Sequence, residues 1–270
     1  MDAHAEAVKA NIKQKVLEGR FNDKVEPSDP VLSPQERSAE LERILARNKT
    51  LGYKLKRFVA RTCVDLVSLK YTAHTKIIGL ENIRGLKGAA IVTSNHFSPF
   101  ESMIIRRMAA KMHRGPLRVI SQDTNFLMPG WKGFFLRYTD LIPVSKDRSY
   151  MAEHFEEEMR KALKGGHFVL IYPEQEMWLN YRKPRPLKRG AYHYACKFNV
   201  PVIPCFVQIE DKAGHFSLHI MKPIYPDPSK SLKENSLAMM QQDMAYKKEA
   251  YEKAFGKPLD YTFEDWDIAG

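Results

Sequence analysis

The run Ser94-Asn95-His96-Phe97-Ser98-Pro99-Phe100-Glu101-Ser102 constrains this chain more than any other, because it joins a strand signal to a helix signal with a histidine and a carboxylate at the junction. Ahead of it, Ala89-Ala90-Ile91-Val92-Thr93 is a short apolar, partly β-branched stretch of the kind buried in a parallel sheet. After it the pattern predicts a helix with Ser98 as N-cap, Pro99 at the first helical position, and an apolar series through Met103, Ile104, Ile105 and Met108. Within one continuous helix, five residues of separation would set His96 and Glu101 on different faces. With His96 in the loop and Glu101 one turn into the helix, the carboxylate can fold back on Nδ1 and leave Nε2 to take a proton from a hydroxyl. A plainer reading of the same residues is a helix start, since Ser98-x-x-Glu101 is a capping box that needs no catalytic role for either residue.

Companion segments follow in a fixed order. They are Ile78-Gly79-Leu80-Glu81-Asn82-Ile83, then Asn95-His96-Phe97-Ser98-Pro99-Phe100-Glu101, then Gly133-Phe134-Phe135-Leu136-Arg137 with Ile142-Pro143-Val144-Ser145-Lys146-Asp147-Arg148. Tyr172-Pro173-Glu174-Gln175-Glu176-Met177 and Val200-Pro201-Val202-Ile203-Pro204 complete the series. In this order the chain resembles the lysophospholipid acyltransferase family, the glycerol-phosphate and acylglycerol-phosphate acyltransferases of phospholipid biosynthesis, over residues 76–226. The resemblance implies acyl transfer from an acyl thioester, on coenzyme A or acyl carrier protein, to a hydroxyl of a lysophospholipid, glycolipid or related lipid acceptor. His96 is then the general base and Glu101 its orienting partner, with no acyl-enzyme and no cofactor beyond the acyl donor. It also implies that Asn95 and Ser98 belong to the substrate-binding motif, that Glu174 binds the acceptor, and that Arg137 and Lys146 lie near acceptor or donor phosphates; Gln175, a departure from the family motif, is read as acceptor-binding because its amide can bond sugar hydroxyls.

Two departures stand out. Glu101 replaces the family aspartate, a mild change of one methylene. In the third motif, Gln175-Glu176-Met177 replaces Gly-Thr-Arg, so that a thioether falls where the family arginine holds the acceptor phosphate. Either another cation does that work or the acceptor carries no phosphate at that point. Arg182 and Arg185 are the leading substitutes, in the basic loop Trp178-Leu179-Asn180-Tyr181-Arg182-Lys183-Pro184-Arg185 that follows the strand Phe168-Val169-Leu170-Ile171-Tyr172. Trp178 and Tyr181 serve equally well as packing residues or as a headgroup pocket. The altered motif also admits a non-catalytic lipid-binding descendant of the fold, and Ser98 or Ser94 beside His96 admits a hydrolase, though no Gly-x-Ser-x-Gly elbow surrounds either serine.

Alternating strand and helix signals predict an α/β fold with a mostly parallel central sheet flanked by helices and an N-terminal helical extension. The 270 residues, 44% hydrophobic and 28% charged, suffice for one sizeable core. Four segments are expected: an N-terminal helical extension over 1–50, an amphipathic helix over 51–75, the catalytic core over 76–226, and a C-terminal helix and tail over 227–270. The extension carries a proline-bearing linker at 25–31 and a capping box at Ser33 and Glu36. Leu51, Leu55, Phe58, Val59, Leu66 and Val67 recur at helical spacing among Lys54, Lys56, Arg57 and Arg61, which fits either a helix in the headgroup plane or one covering the sheet.

A formal charge of +11 points to an anionic partner, and in the absence of any nucleic-acid-binding motif a peripheral membrane surface is the expectation. No segment has the roughly 18 apolar residues of a spanning helix, and the polar N-terminus does not read as a signal peptide, so a cytoplasmic protein at the inner face of the cell membrane is expected. Cys63, Cys196 and Cys205 lack metal or redox spacing and read as reduced thiols. His215 and His219 alternate with apolar residues in a predicted strand, roughly 13 Å apart on one face and too far for a shared metal; no metal site is expected.

Overall fold

The computed structural model describes residues 3–27 and 32–269, so that positions 28–31 of the proline-bearing linker lie outside the described residues. Strands β1 (Thr75–Ile78), β2 (Ala90–Thr93), β3 (Arg118–Gln122), β4 (Leu141–Val144), β5 (Phe168–Ile171), β6 (Val202–Ile209) and β7 (Phe216–Ile220) form one sheet in the order β1-β7-β6-β2-β5-β3-β4. Every neighbouring pair is parallel except β6 with β7. The helices are α1 (Ala3–Leu17), α2 (Pro34–Asn48), α3 (Leu51–Tyr71), α4 (Ser102–Lys111), α5 (Gly130–Tyr138), α6 (Arg148–Tyr150), α7 (Glu156–Lys164), α8 (Gly190–Phe198) and α9 (Leu232–Phe255), with a π-helical turn (Met151–Phe155) linking α6 to α7. The expected mostly parallel α/β architecture is therefore present, with helices ahead of it.

Register explains why the central strands read as unbroken apolar runs. Ile91 lies beside Val169 and Val202, and Val92 beside Leu170 and Ile203. The first set faces Met159 of α7, Tyr192 of α8 and Met239 of α9, while the second faces Ile104, Ile105 and Met108 of α4. Alternate side chains thus enter different cores, and each fully buried branched side chain contributes about 1.5–3 kcal/mol.

Caps set the helix ends where the sequence signalled them. Ser33 with Glu36 and Ser231 with Glu234 form complete capping boxes, and α9 stops at Gly256 in the left-handed region (φ 64°). The Gly-x-Glu-Asn segment is a clasp between two strands. A side chain at Gly79 would meet the Ile220 carbonyl at 2.1 Å, and Asn82 Nδ2 donates to that same oxygen at 2.8 Å.

Three details differ from expectation. Helix α4 begins at Ser102 and not at Ser98: the Ser98 hydroxyl accepts from the Phe100 amide at 3.1 Å in a tight turn, and no capping box forms with Glu101. His215 precedes β7 and stacks on His74, whereas His219 meets Gln208, so the two histidines are not partners on one strand. Among the described residues no group of metal-binding side chains comes together. Arg57 and Arg61, which in an interfacial helix would face headgroups, instead turn inward onto the fully buried Asp140, which also receives Arg118. Burial works against the Asp140 charge, yet the bonds from Arg61 and Arg57 hold its carboxyl below the usual range. This leaves Leu51, Leu55, Phe58, Leu66 and Leu69 of α3 exposed along one outer stripe. No helix among the described residues is long and apolar enough to cross a membrane.

A buried polar cluster fastens α9 to the sheet beneath the His96 loop. Asp243 Oδ2 accepts from Thr93 and Tyr192, each at 2.5 Å, and Lys247 pairs with Asp243 Oδ1 and donates to Thr93. Asp243→Leu strands the Lys247 ammonium without water or counter-ion, so it should cost about 3–5 kcal/mol in chemical denaturation, and adding Lys247→Met should recover much of the loss.

Candidate active site

His96 leaves the carboxyl end of β2, in the middle of the sheet, and its Nδ1 is bonded to Glu101 Oε1. Glu101 has no exposure at all, and it stands at the N-cap of α4 without capping it. The carboxylate is thus committed to the imidazole, and its second oxygen makes no hydrogen bond among the described residues. The imidazole keeps a fifth of its surface exposed (20%), with Nε2 unbonded among the described residues, and one face is covered by the Tyr172 ring, stacked at 3.9 Å and 10°. Burial, and then the Glu101 charge, push the Tyr172 phenol well above its usual value, which keeps it protonated. The arrangement is an oriented base: one ring nitrogen fixed by a carboxylate, the other free to accept a proton.

The loop carrying this base is held by the segment after β5. Glu174 Oε2 accepts the His96 amide at 3.2 Å; Trp178 N donates to the His96 carbonyl at 3.0 Å, and Asn180 N to the Phe97 carbonyl at 2.8 Å. Arg185 backs Glu174 from behind, with its amide on Oε1 at 2.9 Å and its Nε on Oε2 at 3.0 Å. Its remaining donors reach the carbonyls of Phe21, His96 and Glu176. Burial draws the Arg185 guanidinium down from its ordinary value while Glu174 opposes the shift.

The expected site residues separate accordingly. His96 and Glu101 come together as read. Asn95 is buried and clasps β6, donating to the Val207 carbonyl at 3.0 Å and accepting from its amide at 2.8 Å, as a peptide group would. Ser98 is occupied by its own turn, and Ser94 is fully buried against Asn95, so neither hydroxyl is bonded to His96. Glu174 and Arg185, read as acceptor-binding, are spent on each other and on the loop. Arg182 pairs with Asp211 at 2.7 Å and lies 4.5 Å from the Trp266 ring centre. Trp178 and Tyr181 are packing residues in a small core with Val8, Ile12, Val16 and Val25.

Arg137 is also structural in what it bonds: Nη1 donates to the carbonyls of Phe126 and Met128 at 3.0 and 2.8 Å. Gly133 belongs to the same contact, since a side chain there would stand 1.6 Å from the Met128 carbonyl and 2.7 Å from Arg137. Lys146, beyond β4, is exposed and makes no ion pair among the described residues; Gln175 is exposed, with φ at 69°. The Tyr172 stack and the Glu174–Arg185 clamp escaped the sequence, which gives no local sign that residues 174–185 fold under residue 96.

The acyltransferase family profile matches residues 74–208, half of the chain. Among solved structures the chain is similar to the 1-acyl-sn-glycerophosphate acyltransferase PlsC from Thermotoga maritima, with a TM-score of 0.51 over 83% of this chain and 90% of that one. At 18% sequence identity the likeness is one of fold. No curated protein matches the chain. With its profile spanning the strand, the His96 loop and the clamp described above, the chain belongs to the acyltransferase family.

Proposed function

We propose that this protein is an O-acyltransferase that moves an acyl group from a thioester of coenzyme A or acyl carrier protein to a hydroxyl of a lipid acceptor. The observation that carries the reading is the buried Glu101 carboxylate bonded to His96 Nδ1, with Nε2 left open. His96 Nε2 takes the hydroxyl proton as the alkoxide oxygen attacks the thioester carbonyl. The C–S bond then breaks, and the proton passes from the imidazolium to the leaving thiolate. A thioester is reactive enough to need no enzyme nucleophile, in keeping with the unbonded state of Ser94 and Ser98 toward His96.

The test is a free-thiol readout of acyl-thioester consumption. His96→Ala should lower turnover by about 100- to 10,000-fold in a folded protein. Glu101→Gln should keep its melting temperature, because no capping box is lost, but lose most activity; Glu101→Asp should retain a substantial part. Near-normal turnover by folded His96→Ala would overturn the mechanism.

The acceptor, in this reading, is uncharged where it meets residue 177. The supporting observations are Met177 itself, the commitment of Arg185 and Arg182 to internal partners, and the Glu176 carboxylate nearby, bonded to Gln122 at 2.9 Å. A phosphate there would meet a carboxylate, with neither Arg182 nor Arg185 free to pair with it. Glycosylated or neutral lipid acceptors should therefore outperform lysophosphatidic acid, and efficient use of lysophosphatidic acid alone would reverse the assignment.

Peripheral docking on the cytoplasmic face of the membrane completes the proposal, with the exposed stripe of α3 as the contact. Trp131 of α5, a helix packed beside α3, is 62% exposed, and Lys54, Lys56 and Lys70 are the α3 cations left outside once Arg57 and Arg61 turn inward. Apolar burial then supplies much of the attachment, and charge supplies the preference for anionic lipid. Phe58→Ser with Leu66→Ser should reduce sedimentation with anionic vesicles more than Lys54→Gln with Lys56→Gln, and only the charge-dependent part should fall with added salt. Undiminished sedimentation of the double serine variant would remove α3 as the anchor.

A further inference from the structure

We propose that the N-terminal segment works as a positioning strap for the catalytic loop, with Asn22 as its positioning residue; this rests on His96 being the base. The segment lies outside the stretch that the family profile covers. Its helix α1 buries Val8, Ile12 and Val16 against Trp178 and Tyr181, which fixes where the chain emerges from the helix. The next residues then meet the His96 clamp from the far side. Asn22 Nδ2 donates to the Pro186 carbonyl at 2.7 Å and to the Glu174 carbonyl at 3.1 Å. The Phe21 carbonyl accepts from Arg185 at 2.8 Å, and the Asp23 carbonyl from the Trp178 indole at 2.9 Å.

Three of the four residues touched in this way, Glu174, Trp178 and Arg185, hold the loop. Glu174 takes the His96 amide, while Trp178 and Arg185 take its carbonyl. Two layers therefore stand behind the imidazole: residues 174–185 against His96, and residues 21–23 against residues 174–186. The inner layer is a loop with no strand or helix of its own between β5 and α8. Without an outer support, its carbonyls at 174 and 186 would have water as their partner and its position would be set less sharply. Alignment of a base with a hydroxyl is sensitive at the scale of an ångström, so a loosened clamp acts on the chemical step before it acts on binding.

The experiment uses the full-length protein and two readouts. Asn22→Ala should lower kcat by about 5- to 20-fold with the KM of both substrates unchanged within about two-fold, as expected for lost alignment and not lost binding. Amide exchange in the 94–101 peptide, followed by mass spectrometry, should quicken by about ten-fold or more, because the His96 amide is protected through Glu174. Asn22→Asp, of equal size but presenting oxygens to two carbonyls, should do worse than Ala on both readouts. Glu6→Gln, at an exposed position of α1, should change neither. The exchange readout needs no turnover, so it separates failure of the strap from failure of the acyl-transfer reading. Unchanged exchange and kcat in Asn22→Ala would overturn the proposal, and so would a fall in melting temperature with kcat per folded molecule and exchange at 94–101 intact.

Discussion

A carboxylate withdrawn from water must be compensated, and Glu101 has been withdrawn completely. Its Oε1 is bonded to the imidazole of His96, so that ordering one side chain orders the other. Much of the surrounding architecture serves that condition. Strand β2 brings residue 96 to the middle of the sheet edge, the tight turn at Ser98 returns the chain to Glu101, and Tyr172 closes one face of the ring. Burial makes the pair specific on the carboxylate side, because the polar alternatives that water would offer to Glu101 are absent.

The elements most legible in the sequence are those governed by neighbours along the chain. Helices α3 and α9 run over Leu51–Tyr71 and Leu232–Phe255, inside the segments 51–75 and 227–270 that were expected to hold them, because periodicity is a local property. The parallel sheet was legible for a related reason, since strands buried on both faces read as apolar runs. The His96–Glu101 pair was legible as well, but for a partly mistaken cause: the residue after Glu101, and not Ser98, opens the helix. Ser98 was read as a cap when its hydroxyl is consumed two residues downstream.

Long-range electrostatics were not legible. Arg57 and Arg61 look like headgroup ligands on a helical wheel, yet a single aspartate about eighty residues away draws both inward. Arg185 and Glu174, close in sequence, looked like two independent ligands of an acceptor and proved to be one buried pair beneath the loop. Local pattern assigns a charged residue to a face of its own element; it carries no information about which distant backbone will cover that face. In a basic chain such as this one, the cations that look available in the sequence overstate those left for a ligand.

The contacts of Asn22 with Glu174 and Pro186 span 152 and 164 positions of the chain. During synthesis, β2 and the His96 loop leave the ribosome well before residues 174–186 exist, and the N-terminal segment waits longer still for its surface. Closing so wide a loop costs conformational entropy that only the finished sheet can offset. The imidazole therefore acquires its final orientation at the end of folding, after β5 has joined β2 and the chain has returned across it. A nascent or partly folded copy holds the reactive side chains without their alignment, and competence for chemistry arrives together with the completed fold.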